Sequence, residues 1–576
     1  MKKVKDPIYG YIEFDEAYWA YLIDKPEFQR LRHISQTGYR ALFPSAHHNR
    51  FVHSLGVAHL GMIGFSSFRE NVQGSEPDVK WNRLRNTFIL ACLLHDVGHS
   101  PFSHAGEDFY EDALTEEGIS SRLKAIAASQ EFSDDLDVGN YGKPHEAMSA
   151  IIGVPLCLNT PMISEEVDSE EGIYAFDTEL FVRAIIGLKY KNGNKHIENA
   201  LISLLNGEYI DVDKLDYIMR DAFTTGYNSL LIDYERLLSG YTLVEDEEGN
   251  RIPGFHRKAI SVIENVVYAK DLERRWVQKD PTILYDCRII EYMIKEFVEH
   301  SKTVFEPSGV FVPEALTTKG ICSIRSGRRS RAWLRRQQMK RGNPSSRIKL
   351  LCDDDIVAYA KNEGTSEAAR QFFDRASRLK PLWKTELEYW SNRDRVLSDT
   401  GRMLWQRALG ILAKELRNNS ALAIDFEFVV RLENDVSLLK EKIAPAKEDA
   451  KRRLLEKMLQ SKELSLSFCI LLREFIKETN SGMDGELEFR FYVIESSGFS
   501  PDYDFEKFKT IQIDMGHGHS CSLGESVGIE KKVIKNSESE KCYFLYTTAQ
   551  NKRLRSDLAV RFWDYMRQNL EGVLRK

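Results

Sequence analysis

Nine of the chain's fourteen histidines fall within its first 150 residues: His33, His47, His48, His53, His59, His95, His99, His104 and His145. Imidazole is a common metal ligand and titrates near neutrality, so such a cluster suits metal binding or proton transfer. Taken singly, each reads as a surface or hydrogen-bonded core histidine, and the surroundings decide. In LLHDVGHSPFSH an apolar run ends in adjacent His95 and Asp96, after which Gly98 and Pro101 break the pattern and bring His99 and His104 around. A neighbouring imidazole and carboxylate at the end of a buried helix are costly to bury unpaired, and a divalent cation satisfies both. RFVHSLGVAHL sets His53 at the start of a second apolar helix. YIDVDKLDYIMRD sets Asp213, Tyr217 and Asp221 four residues apart on one helix face, with Lys214 beside them.

These side chains need a helical frame. Residues 16–238 read as successive amphipathic or buried helices, for example 82–94 and 178–188, separated by short polar turns. Residues 257–301 continue the pattern, with Val262, Val266, Leu272 and Trp276 in one apolar stripe, so the first 300 residues read as all-α. Residues 317–347 shift to a basic run without an acid. Residues 353–380 resume a helical pattern, and 433–477 read as charged helices around a proline. Residues 487–494, 510–513 and 542–547 read as strands, and 554–574 as a closing helix. The expected fold is mainly α with an α+β C-terminal domain. The expected domains are a core over 1–316, a basic insertion over 317–347, a helical extension over 348–385 and the C-terminal domain over 386–576.

At 576 residues and 42% hydrophobic content the chain has material for two or three domains. Its net charge of -7 and pI near 6.1 provide no general cationic field for nucleic acid. One local exception exists, where Arg328, Arg329, Arg331, Arg335 and Arg336 flank Trp333, a minimal phosphate and stacking kit. Charge runs are more often solvated loops, so a nucleic-acid partner is the lesser expectation. Eight scattered cysteines without a CxxC pair imply reduced thiols and a cytoplasmic protein. No run of about 18 apolar residues and no secretory leader stand out, so no membrane partner is expected. His517 and His519 near Cys521 fall short of a zinc pattern and read as surface residues.

The order His53, His95 with Asp96, then Asp213 resembles the HD superfamily of metal-dependent phosphohydrolases. The wording DPIYGYIEF, FQRLRHISQTG, HNRFVHSLGV, LLHDVGHSPFSH and DVDKLDYIMRD is similar to the bacterial dGTP triphosphohydrolases and the antiviral HD-domain dNTPase of animals. The likeness covers about residues 1–300 and, more weakly, extends to 380. It implies an HD-type helical core in which His53, His95, Asp96 and Asp213 hold one divalent metal. The mixed donor set suits manganese, iron, magnesium, nickel or zinc and does not choose among them. It further implies that His145, followed by Glu146, and His104 form an acid/base pair, with His99 on the phosphates. Gln36 and Arg50 would lie near the sugar and α-phosphate, Lys214 at a phosphate, and Tyr217 and Asp221 at the deoxyribose. Gln278 is retained from the family's substrate positions, whereas Lys270 and Val277 replace its arginine and tyrosine.

By the same resemblance Asp24, Gln29 and Arg32 match an activating nucleotide site between subunits. A plain pairing of Asp24 with Arg32 on a solvated helix face is an equal alternative. The implied function is hydrolysis of dNTPs, dGTP favoured, to deoxynucleoside and triphosphate, by a nucleotide-regulated tetramer or hexamer serving pool control or antiphage depletion. The rivals are an HD phosphohydrolase acting on a cyclic dinucleotide, an alarmone or a nucleic-acid end, and a non-catalytic nucleotide receptor.

Overall fold

The computed structural model describes the chain apart from residues 39–41, 77–78, 108–117, 139–141, 166–173, 209, 227–231, 247, 305–350, 419–420, 444–448, 482–486, 497–510, 517–518, 527–540 and 575–576. The basic run and His517 lie outside the described residues. The chain divides into two compact units. The first comprises Met1–Arg274, Met293–Gly364 and Pro501–Val533; the second comprises Arg275–Tyr292, Thr365–Ser500 and Ile534–Lys576.

The first unit is built on long helices. Arg50–Val72 is capped by the Asn49 side chain, which accepts from Val52 N at 3.2 Å. It packs against Trp81–Leu94, where Phe65 and Phe88 stack with centroids 6.2 Å apart. Pro144–Leu158 begins with proline in its first turn, where the missing N–H costs nothing. Val212–Thr225 is capped by Asp211, which accepts from Lys214 N at 2.6 Å, and stops at Gly226, whose φ is +79°. Arg50–Val72 is long and apolar enough to cross a membrane by composition, with mean hydropathy 1.3 in its best window. That window is 67% buried inside the unit and the helix carries His53, so its apolar surface is satisfied by protein.

The all-α expectation for the first 300 residues is corrected by two hairpins that lie outside the helical stretches. Lys2–Asp6 pairs antiparallel with Gly10–Phe14. Asp6 Oδ1 accepts from the backbone of Ile8 (2.8 Å) and Tyr9 (3.2 Å), and Gly10 closes the turn at φ +78°. Tyr241–Glu245 pairs antiparallel with Arg251–His256, and Gln512–Gly516 then adds parallel to Arg251–His256, followed by His519–Ser522. Strands of only five or six residues are too short to stand out in a search for helical periodicity.

The second unit combines the helices Glu386–Val396, Asp399–Asn418, Phe426–Ile443, Asp449–Asn480 and Lys552–Leu574 with a three-stranded antiparallel sheet. In that sheet Cys542–Thr547 lies between Tyr492–Ser496 and Lys380–Pro381. Its core gathers Trp383, Trp405 and Trp563. Two of the indoles find partners, Trp383 Nε1 donating to Tyr543 O (3.0 Å) and Trp405 Nε1 to Tyr389 Oη (2.9 Å), as buried indoles require.

Candidate functional site

His53 follows the N-cap of its helix by four residues, His95 caps the C-terminus of Trp81–Leu94, and Asp213 stands in the first turn of Val212–Thr225. Helix packing brings the three together, with ligand atoms within 4.8 Å of one another. His53 Nε2 is 2.9 Å from Asp213 Oδ1, and His95 Nε2 is 3.6 Å from the same oxygen. Asp96 lies among them, 3.5 Å from His53 Nε2, 3.4 Å from His95 Nε2 and 3.3 Å from His99 Nε2.

These groups fit a cation. His95 Nδ1–H donates to Cys92 O at 2.9 Å, which leaves Nε2 buried, without a hydrogen bond, and turned to two carboxylates. Burial alone would raise the Asp96 carboxyl, but Arg50, 2.7 Å away, together with His95 and His99 holds it well below the usual range. Asp213 is likewise held low against its burial by its hydrogen bond with His53 and by the nearby His95 ring. The Asp213 side chain is 37% exposed, against at most 9% for His53, His95 and Asp96, so the cluster opens on the Asp213 side. Two imidazole nitrogens and the Asp213 carboxylate within 4.8 Å of one another, with the Asp96 carboxylate beside both imidazoles, suit a hard or borderline divalent ion with room for substrate.

The sequence reading missed the groups behind the ligands. Asp216 Oδ2 accepts from His53 Nδ1 at 2.7 Å, directing Nε2 at Asp213. Asp216 also accepts from Tyr9 Oη (2.7 Å) and from Arg220 Nε and Nη2 (both 2.9 Å), and Arg220 in turn reaches Asp6 at 3.1 Å. The Asp6–Gly10 turn thus ties to the Asp213 helix. The i,i+3 spacing of Asp213 and Asp216 was the available signal.

A second cluster adjoins the first. His99 and His145 stack at 4.0 Å with planes 18° apart, and His104 lies edge-on to both at 5.2 Å. Glu107 joins them: His145 Nδ1–H donates to Glu107 Oε1 at 2.9 Å, and His104 Nδ1–H donates to the same oxygen. Burial would raise the Glu107 carboxyl, but these two bonds hold it far below the ordinary range. Burial lowers His145 and, with Arg50 and His145 nearby, lowers His99, which favours the neutral form of both rings. The His104 side chain is 56% exposed and faces solvent. Glu107, three residues after His104 in HSPFSHAGE, was legible only as an i,i+3 pair.

Gly98 makes this juxtaposition fit. A Cβ there would stand 2.3 Å from Ser149 N and 2.4 Å from Met148 C, backbone atoms of the His145 helix that have nowhere to go. Gly98→Ala is expected to destabilise the protein by about 3 kcal/mol, measured by denaturant unfolding. An unchanged midpoint would contradict this packing.

Glu146 Oε2 accepts Lys143 N–H at 2.8 Å, and its Oε1 lies 4.0 Å from His145 Nε2. Burial pushes the Glu146 carboxyl up to about 7. Between the ordinary carboxylate range and 7 the folded state binds this proton and the unfolded state does not, so stability falls with rising pH across that window. Glu146→Gln is therefore expected to stabilise by about 2 kcal/mol at pH 8 and to change little at pH 4. Equal melting shifts at both pH values would refute it.

Arg50 donates to Asp96 and, through Nε, to Ser103 Oγ at 2.9 Å; Gln36 is buried beside it, its carbonyl 3.5 Å from Arg50 Nη2. Lys214 Nζ is engaged by Asp211 and by Gly207 O, the latter at 2.7 Å. Tyr217 is half-buried one turn beyond Asp213. Asp221 lies 2.6 Å from His48 Nε2, and burial pushes its carboxyl up to about 7 against the lowering effect of its hydrogen bond with Glu273. Gln278 falls in the second unit and is exposed. At the proposed activator position Asp24 is exposed, Gln29 Nε2 donates to Ile23 O (2.8 Å), and Arg32 donates to Gln29 Oε1 (2.8 Å) while lying 3.5 Å over the Phe51 ring.

Comparison with known proteins adds a family. Residues 50–152 match the HD domain, a span that includes His53, His95, Asp96, His99, His104 and His145. The chain is 31% identical over 272 residues to the uncharacterized protein MG461 of Mycoplasma genitalium, covering 46% of this chain and 53% of that one. It is 28% identical over 250 residues to the deoxynucleoside triphosphate triphosphohydrolase SAMHD1 homolog of Dictyostelium discoideum (43% and 40%). With the deoxynucleoside triphosphate triphosphohydrolase SAMHD1 of Mus musculus it shares 32% over 263 residues (43% and 35%). The chain spans about half the length, or less, of these relatives. The helices that set His53, His95 and Asp96 around one opening are thus those of a recognised domain, and the chain carries an HD domain over residues 50–152.

Proposed function

We propose that this chain hydrolyses deoxynucleoside triphosphates, dGTP first, to a deoxynucleoside and inorganic triphosphate, with one divalent cation. The observation that carries the reading is the contact, through Asp96 and His99, between a carboxylate–histidine cluster fit for a metal and a three-histidine cluster fit for proton transfer. The names of the Dictyostelium and mouse relatives support the substrate class. A divalent ion held by His53, His95, Asp96 and Asp213 supplies a Lewis acid for the α-phosphate and acidifies the attacking water.

The chain's own residues do the rest. As the water oxygen bonds to the α-phosphorus, the bond from phosphorus to the 5′-oxygen breaks, and that oxygen needs a proton. His104, exposed and oriented by Glu107, gives the proton from Nε2, and neutral His145 on the same carboxylate serves as the partner base. His99 and Arg50 face the phosphates, with Gln36 beside them and Glu146 behind His145. Lys214 reaches a phosphate by exchanging its bond to Gly207 O. The deoxyribose packs on Tyr217 near Asp221, where a 2′-hydroxyl finds no room. Gln278 is assigned to the substrate on resemblance alone. A nucleotide activator at Asp24, Gln29 and Arg32, a homo-oligomer, and antiphage depletion of dNTPs complete the proposal.

The test is to incubate the protein with each dNTP and GTP, singly and mixed, with manganese or magnesium, and to resolve the products beside Asp96→Ala. Deoxynucleoside plus triphosphate, lost in the variant, supports the reading, and turnover only in mixtures supports an activator. Turnover instead of a cyclic dinucleotide, an alarmone or a nucleic-acid end reassigns the substrate. Silence with every metal and mixture favours a nucleotide receptor.

A further inference from the structure

The loop carrying His99 and His104 turns through Phe102 and Ser103, both at φ +56°. Two successive left-handed residues that are not glycine are sterically disfavoured, and such a turn persists only where its surroundings hold it. Ser103 is held within the site: its Oγ donates to Ser35 O (2.5 Å) and accepts from Arg50 Nε (2.9 Å). Phe102 is held from far along the chain. Its N–H donates to Asp353 Oδ1 at 2.6 Å, across 251 residues.

Asp353 is the first residue of the helix Asp353–Asn362 and is 7% exposed. Its second oxygen accepts from Ser35 N (2.9 Å) and Ser35 Oγ (2.6 Å). The residues beside it grip the same region. Leu351 O accepts from Arg30 Nε (2.8 Å), and Arg30 Nη1 and Nη2 donate to the carbonyls of Val97 (3.4 Å) and His99. Asp354 Oδ2 pairs with His33 Nδ1 at 2.7 Å. The short stretch 351–354 therefore fastens the 97–103 loop at both ends, through Arg30 at one and Asp353 at the other.

We propose that Asp353 is a positioning residue of the active site, its carboxylate locking the Phe102–Ser103 turn and so the placement of His104 against His99 and His145. This rests on the reading of those histidines as the groups that act on the triphosphate. The carboxylate is required because each of its oxygens accepts from a backbone N–H, Oδ1 from Phe102 and Oδ2 from Ser35, whose Oγ donates to Oδ2 as well. An asparagine presents one acceptor oxygen and one amino group, so it leaves at least one of the two donors without a partner.

The test compares Asp353→Asn with wild type and repeats the pair in a Phe102→Gly background, where a left-handed turn costs little. In the native background kcat is expected to fall about 30-fold or more, with KM and bound metal little changed. In the glycine background the fall is expected to shrink to about fivefold or less. Amide exchange in the peptide spanning 97–106 is expected to quicken about tenfold in Asp353→Asn. Unchanged kcat, an equal loss in both backgrounds, or a loss that merely follows metal content or thermal stability overturns the proposal. Faster exchange in the variant of a protein that turns over no dNTP supports the clamp and removes only the substrate reading. Unchanged exchange overturns the clamp whatever the substrate.

Discussion

Replacing Asp96 with alanine is expected to strip the site of its metal and to reduce dNTP hydrolysis by about 10,000-fold or more. Asp96 meets four side chains of the site at once: Arg50 at 2.7 Å, His99 at 3.3 Å, His95 at 3.4 Å and His53 at 3.5 Å. Without it, two imidazoles and Asp213 are left to hold a divalent ion. The buried Arg50 guanidinium also loses its carboxylate, a change that costs about 3–5 kcal/mol when one partner of a buried pair is removed. Instability and metal loss therefore have to be separated. Asp96→Asn keeps the side chain's size and one acceptor oxygen, so it is expected to fold better than the alanine variant while still binding metal poorly. Elemental analysis, melting temperature and product assay on both variants check this. Full metal content with normal turnover in either would remove Asp96 from the centre.

Changing Glu107 to glutamine is expected to lower kcat by about 100- to 1,000-fold while leaving bound metal in place. Glu107 Oε1 accepts from His104 Nδ1 and His145 Nδ1 together, which points each Nε2 away from the carboxylate and fixes the tautomer of both rings. An amide oxygen can still accept, but the negative charge is gone. The sign of the pH effect follows. Burial lowers His145, and the Glu107 carboxylate is the main influence raising it in return. Removing that charge lowers His145 further, so the limb of the kcat/KM profile that reports this ring moves to lower pH. A pH–rate profile with parallel metal analysis decides the point. Activity within about threefold of wild type and an unmoved profile would exclude Glu107 as the orienting group.

Much of the helical frame could be read from short windows of sequence. The run NRLRNTFILACLL declares a buried helix, and Trp81–Leu94 is that helix. The adjacency of His95 and Asp96, and the four-residue spacing of Asp213, Tyr217 and Asp221, are local facts that survive folding because helix geometry maps spacing onto a face. The strand at Cys542–Thr547 and the closing helix Lys552–Leu574 were legible for the same reason.

What the windows do not contain is the choice among equivalent partners. Asp213 and Asp216 are both acids on one helix, yet only packing sends Asp213 to His53 Nε2 and Asp216 to His53 Nδ1. Glu107 gains its importance from His145, 38 residues away, and Asp353 from Phe102, 251 residues away. Gln512–Gly516 joins Arg251–His256 only after the chain has left the first unit and returned. Residue type and periodicity state what each segment can bury or ligate. Which carboxylate meets which imidazole is settled by the joint closure of distant segments around one core, where each buried polar group must find its partner.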